Sequence, residues 1–229
     1  SVGLSVLLDE RCEDVYNKVL ENKLKFQNLP EYIEILKTLK ALYDKGYINT
    51  DHLSATYDDS MEAVGTGKAA MMYNGEWIVG TLESKGADVG AFAIPFGNKQ
   101  KIAIGQFVQG LLVSNKGQNI EGALKVLELW STPPYMDIYF AGTPGFPGLQ
   151  GVDGGKINPA VKAFVDAYVP TGKYTFEMNA YMGIVNNILP EIWTYYVDMV
   201  AGNLSPEEVA KAFDEKVADQ MKAADQAGW

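Results

Sequence analysis

The 229-residue chain predicts an α/β fold in which helices outnumber strands, on three observations. Residues 28–46, NLPEYIEILKTLKALYDKG, carry apolar side chains at helical spacing. The runs at 69–73, 89–96 and 107–114 are short, apolar and bounded by glycine, proline or polar residues, the pattern of buried strands. From Ile157 onward the pattern is almost wholly helical. No repeat or low-complexity tract intervenes, and the mixture of strand and helix points to a layered α/β protein.

In chain order, the first helix starts with Asn28 as its cap and Pro30 near its first turn. It lines up Tyr32, Ile35, Leu36, Leu39, Leu42 and Tyr43 on one stripe and stops at Gly46. YDDSMEAVGTGK is a shorter helix, whose opening carboxylates Asp58 and Asp59 suit the unsatisfied N–H groups of a first turn. AAMMY, residues 69–73, reads as a strand, GEWIVGTLESKG as a helix, and VGAFAIPF as an apolar run halted by Pro95 and Gly97. GNKQKIAIG is a polar, glycine-flanked link ahead of the strand FVQGLLVS. The helix QNIEGALKVLELWST follows, with Ile120, Ala123, Leu124, Leu127 and Trp130 on one stripe, up to the break at Pro133-Pro134. Strand and helix together make one α/β unit. GTPGFPGLQGVDGG, at 142–155, is too rich in glycine and proline for a regular element and reads as a loop or a segment near a binding cleft. INPAVKAFVDAY starts the helical final third. AYMGIVNNILPEIWTYYVDMVAGN is a long helix that Pro190 kinks or ends. The closing helix SPEEVAKAFDEKVADQMKAADQ has the capping-box spacing of Ser205 and Glu208, with Pro206 at its first position.

Composition narrows the functions. A chain with 47% hydrophobic and 21% charged residues can build one large domain or two small ones. With a formal charge of −10 and nineteen scattered basic residues, it lacks the clustered lysine and arginine that nucleic acids and anionic membranes require. Cys12 is the single cysteine, which excludes an internal disulfide and a multi-cysteine metal site. No run approaches the roughly 18 apolar residues that would span a bilayer. The N-terminus has no basic-then-apolar leader pattern, so the expectation is either a cytoplasmic chain or one whose leader has been removed.

The catalytic inventory is mostly negative. His52 is the single histidine and reads as a surface residue of the DHLS turn, and no G-x-S-x-G elbow is present to supply a nucleophile for it. H-E-x-x-H, EF-hand and G-x-x-x-x-G-K-[ST] patterns are missing. GVDGG offers one carboxylate among glycines, too few oxygens for calcium. Asp58 with Asp59, Glu207 with Glu208, and Glu76 are the visible acids of a pairing kind, and each reads better as helix-start charge. No catalytic residue, metal or cofactor is expected.

Aromatic recognition has the stronger signal. Thirteen Tyr, nine Phe and four Trp make up 11% of the chain. Tyr73, Trp77, Phe146, Tyr174, Phe176 and Tyr181 stand apart from the periodic stripes, with Phe146 and Phe176 reading equally well as core. Trp77 closes GKAAMMYNGEW, where Gly75 lets a backbone approach something closely. A tryptophan in the first turn of a helix, directly after a strand end, lies where α/β folds place ligands. An indole face there can cover the C–H face of a sugar ring while Asn74 and Glu76 bind hydroxyls.

MEAVGTGKAAMMYNGEW, DVGAFAIPFGN, FVQGLLVSN with GALKVLELWS, and the terminal AGNLSPEEVAKAFDEKV together resemble the extracellular solute-binding proteins of ABC importers, in the carbohydrate-binding group that includes maltose-binding protein. The resemblance covers nearly the whole chain. It implies a periplasmic-binding-protein-like (type II) α/β fold, two-lobed and closing over a ligand, with a helix-rich C-terminal lobe and an incomplete N-terminal one. It places Trp77 as a stacking platform for a sugar. The proposed contacts are Trp77, its neighbours Asn74, Gly75 and Glu76, and then Asp58, Gln106 and Tyr181, with Asn186 and Asn187 as alternatives.

By the same resemblance residues 1–103 and 156–229 form most of the C-terminal lobe, and 104–155 cross to an N-terminal lobe whose remainder is missing. The apolar face of FVQGLLVS then has to find a substitute partner or stay exposed. The implied partners are a carbohydrate and an ABC permease. Any membrane contact would run through that permease or a lipid anchor on the missing N-terminus. The implied state is a monomer at full length, with self-association open to the fragment, and the implied location is extracellular, periplasmic or on the bacterial cell surface. Two other readings stand beside this one: a glycoside hydrolase, which needs two carboxylates about 5–10 Å apart, and a helical module or binding protein for a non-sugar solute such as a peptide or polyamine, which the negative charge would suit.

Overall fold

The computed structural model describes residues 2–49, 51–105, 111–143, 145–177 and 189–229. Helices dominate. The first twenty residues, to which the sequence pattern assigns no element, form α1 (Val2–Leu8) and α2 (Cys12–Leu20). α3 (Pro30–Asp44) is the helix predicted at 28–46. Its cap is Leu29, not Asn28, because Phe26–Asn28 coil into a short 3-10 turn and the chain becomes extended only at Leu29. Gly46, at φ 71°, ends the helix in the left-handed region, and Tyr47 N–H closes the turn on the Leu42 carbonyl at 3.0 Å.

α4 (Tyr57–Gly65) and α5 (Val79–Ser84) follow. The strands predicted at 69–73 and 89–96 are not formed. Neither run has ladder hydrogen bonds among the described residues beyond an isolated bridge between Phe96 and Lys99. Alanine and methionine lack the β-branched bulk that favours a pleated surface, and an apolar run without a partner strand has nothing to pair with. The GNKQKIAIG link holds β1 (Ile102–Ile104), which pairs in parallel with β2 (Tyr174–Phe176), Ile102 opposite Tyr174. Of the strand predicted at 107–114, residues 107–110 lie outside the described set and 111–114 are irregular, with Leu112 97% exposed.

α6 (Ile120–Trp130) is the predicted helix, capped by Asn119, whose side chain accepts from Gly122 N–H at 2.8 Å. The Pro-Pro pair ends α6 and also opens a helix the pattern did not assign, α7 (Pro133–Gly142), with proline at its first positions. Residues 145–155 are irregular, as the glycine and proline content predicts. α8 (Pro159–Tyr168), α9 (Leu189–Ala201) and α10 (Pro206–Ala223) complete the chain. The capping box of α10 is present in both directions: Glu208 N–H donates to Ser205 Oγ, and Ser205 N–H donates to the Glu208 carboxylate at 2.7 Å. The part of the long helix predicted before Leu189 lies outside the described residues.

The chain divides into two compact units. The first comprises Ser1–Ser60, Ala93–Gln106 and Tyr168–Trp229, and the second Met61–Phe92 and Phe107–Ala167. In the first, α1, α2, α3, α9 and α10 bury a continuous apolar core. Phe26, Tyr32 and Phe213 form its aromatic centre, with the Phe26 and Phe213 rings 4.6 Å apart. The second has a small cluster of Met61, Ile78 and Leu82, and α6, α7 and α8 contribute no buried residue to it.

Cys12 is buried in the first core, with its thiol 3.6 Å from the Ser5 carbonyl it donates to. Burial, reinforced by the Asp9 carboxylate, pushes the thiol up to about 11. Both effects suppress the thiolate, the form that reacts. At pH 8 a maleimide is therefore expected to label Cys12 about a hundredfold more slowly in the native chain than in guanidinium. Comparable rates would contradict the burial.

Candidate functional site

The site predicted around Trp77 is built by residues 67–79 of the second unit. α4 ends at Gly65, and Ala69 N–H returns to the Ala63 carbonyl at 2.9 Å, which fixes the exit of the chain. Residues 71–75 form no regular element, and burial alternates over Met71, Met72 and Tyr73. Met72 packs against the Met61, Ile78 and Leu82 cluster, while Met71 and Tyr73 point away from it and are exposed. The apolar run AAMMY therefore forms no strand, although its last residues differ in burial from one to the next.

Asn74 turns the chain by accepting the Gly75 N–H on its own Oδ1 at 2.8 Å. A short 3-10 helix, Glu76–Ile78, leads into α5. Ile78 and Val79 are buried, which directs their neighbour Trp77 outward, where it is 70% exposed. Glu76 stands half-buried at the start of that turn. The indole folds back over Gly75: a Cβ added to that glycine would lie 1.8 Å from Trp77 Cζ3 and 2.2 Å from both Cε3 and Cη2. The close approach that Gly75 was expected to allow is therefore with the chain's own tryptophan. An aromatic ring, an amide and a carboxylate stand within four consecutive residues.

Asp58 is exposed in the first turn of α4 and belongs to the first unit. Its neighbour Asp59 reaches back to the cap residue: its carboxylate accepts both the N–H and the hydroxyl of Thr56 at 2.7 Å, and the hydroxyl bond, with the backbone bond behind it, holds Asp59 below the usual carboxylate range. Thr56 as the cap residue was not assigned from sequence, although T-x-x-D has the spacing that marks it. Gln106, Tyr181, Asn186 and Asn187 lie outside the described residues. Tyr174 and Phe176 sit on β2 with rings 5.9 Å apart, and Phe146 is exposed in the glycine-rich loop. His52 lies in a turn, its ring edge-on to Tyr43. Met71 is the exposed apolar neighbour that sequence reasoning missed, having been placed inside a strand.

The architecture is that of a periplasmic-binding-protein-like solute receptor. A family model described as bacterial extracellular solute-binding protein matches residues 14–165, and the chain belongs to that family. Among solved structures it is similar to a chitin oligosaccharide binding protein, at 19% identity and a TM-score of 0.70 over 95% of this chain and 56% of that one. It is also similar to Tp0737 from Treponema pallidum, at 15% identity and a TM-score of 0.58 over 93% of this chain and 56% of the other. The chain thus spans a little over half the length of these structures, and at such identities the likeness establishes the fold. No curated protein matches in sequence. The family is one of extracellular proteins, the location the resemblance implied. Among the described residues no helix is long and apolar enough to cross a membrane.

Proposed function

We propose that the chain binds a sugar or oligosaccharide outside the cell, for delivery to the permease of an ABC importer. The observation that carries the reading is Trp77: a large ring 70% exposed, directed outward by buried Ile78 and Val79, with Asn74 and Glu76 beside it. Indole and sugar C–H faces bury apolar surface against each other while amide and carboxylate accept or donate to hydroxyls. The structural similarity to a chitin oligosaccharide binding protein supports this ligand class. In this reading Asp58, Gln106 and Tyr181 are further contacts, residues 1–103 and 156–229 supply most of one lobe and 104–155 belong to the other. A ligand touching both lobes stabilises the closed state, and the permease reads that population. Binding and release involve no covalent step, so the chain acts without turnover. At full length the protein is a monomer whose link to the membrane is the permease or a lipid anchor.

A thermal-shift screen tests the proposal with chitin oligosaccharides, maltotriose, short peptides and spermidine. A ligand bound only by the folded state at a hundred times its Kd adds about 2.7 kcal/mol to stability. A rise with an oligosaccharide, and intact sugar recovered afterwards, is the expected result. A rise with peptide or spermidine alone, or the recovery of cleaved sugar, would replace the reading with one of its rivals.

A further inference from the structure

We infer that Gly75 is the positioning residue for Trp77, and that its missing side chain is what holds the indole where a ligand can stack on it. The inference rests on the reading of Trp77 as a sugar platform. Gly75 has φ −91° and ψ 165°, extended values that any residue adopts, so the backbone does not require glycine here. The indole does. With Cζ3, Cε3 and Cη2 all within 2.2 Å of the place a Cβ would take, no small shift relieves the overlap. The flanking backbone is held: Asn74 Oδ1 accepts the Gly75 N–H, Ile78 N–H reaches the Gly75 carbonyl at 3.4 Å, and Ile78 and Val79 are buried. The close atoms are the far end of a side chain, the part that shifts when the backbone does not, so a side chain at position 75 drives the indole into another rotamer. A platform already seated before the ligand arrives loses less rotamer freedom on binding than one that must be ordered by it.

Two measurements on the full chain test this. In the unliganded protein, proton NMR is expected to show the Gly75 α-protons displaced from random-coil shifts by the indole ring current, and back at those shifts in Trp77→Ala. Undisplaced protons in the parent chain would overturn the inference. Calorimetric titration with a chitin oligosaccharide is expected to show Gly75→Ala weakening affinity about fivefold in the parent and less than twofold in the Trp77→Ala background. Equal weakening in both backgrounds means the glycine meets the ligand directly and overturns the inference. So does a parent affinity untouched by Gly75→Ala while Trp77→Ala weakens it. If Trp77→Ala changes nothing, or the probe does not bind, it is the platform reading that fails, and the ring-current result alone decides the positioning.

Discussion

Asp214→Ala is expected to lower the stability of the chain by about 3 kcal/mol, seen as a large drop in the midpoint of denaturant unfolding. Asp214 lies on α10 and is 4% exposed. Its Oδ1 accepts the Phe26 N–H at 2.7 Å and its Oδ2 the Gln27 N–H at 2.9 Å. Those two donors belong to the turn that seats Phe26 against Tyr32 and Phe213. Alanine leaves both donors without an acceptor, at about 1–3 kcal/mol for the buried Phe26 N–H and less for the Gln27 N–H, which is only partly buried. An asparagine side chain would keep one acceptor, so Asp214→Asn should lose roughly half as much. The pH dependence has a definite sign. Burial holds the carboxyl above its ordinary value, against the opposing pull of the two backbone N–H groups. A raised folded value means the group's contribution is fully present below its unfolded pKa and declines as pH rises through the folded one. The stability advantage of the parent over Asp214→Asn should therefore shrink from acid pH toward neutrality. A loss under 1 kcal/mol in Asp214→Ala would show that the clasp is dispensable.

Trp77→Ala is expected to weaken oligosaccharide affinity at least tenfold, equivalent to about 1.4 kcal/mol, as measured by calorimetric titration. The same change should leave the melting curve within the range of an ordinary surface substitution, about 0.5 kcal/mol, because the ring is 70% exposed. The pairing of a large affinity loss with a small stability change separates a binding residue from a packing residue. Trp77→Phe, which keeps a smaller aromatic face, should fall between the two. Unchanged affinity in Trp77→Ala would remove the stacking platform.

What could be read from the sequence divides by range. α3, α6, α8 and α10 were legible because helical spacing and caps are written within a few residues of each other, as with Ser205 and Glu208 on α10. The misassigned cap at Asn28 has a distant cause: Asp214, 187 residues from Gln27, holds the preceding turn. Strands failed in both directions for the same reason. Residues 69–73 and 89–96 look like strands to any reading of apolar runs, but a strand exists only with a partner. β1 and β2, three residues each, are made by pairing Ile102 with Tyr174 across most of the second unit's sequence. At the candidate site, the sequence singles out Trp77 as the first turn of a helix after a strand end; the helical turn is there and the strand is not, and buried Ile78 and Val79 direct the ring outward. The contact of Gly75 with the indole was not legible, because a glycine's neighbour in space carries no local signature.

The way the first unit's core is assembled has a consequence for how the chain reaches its native state. Phe26 packs on Phe213 and its N–H bonds to a carboxylate 188 residues further on. The apolar stripes of α1, α2 and α3 therefore stay uncovered until α9 and α10, nearly two hundred residues further along, can shield them. Such high contact order slows folding and lengthens the interval in which the nascent chain is open to aggregation.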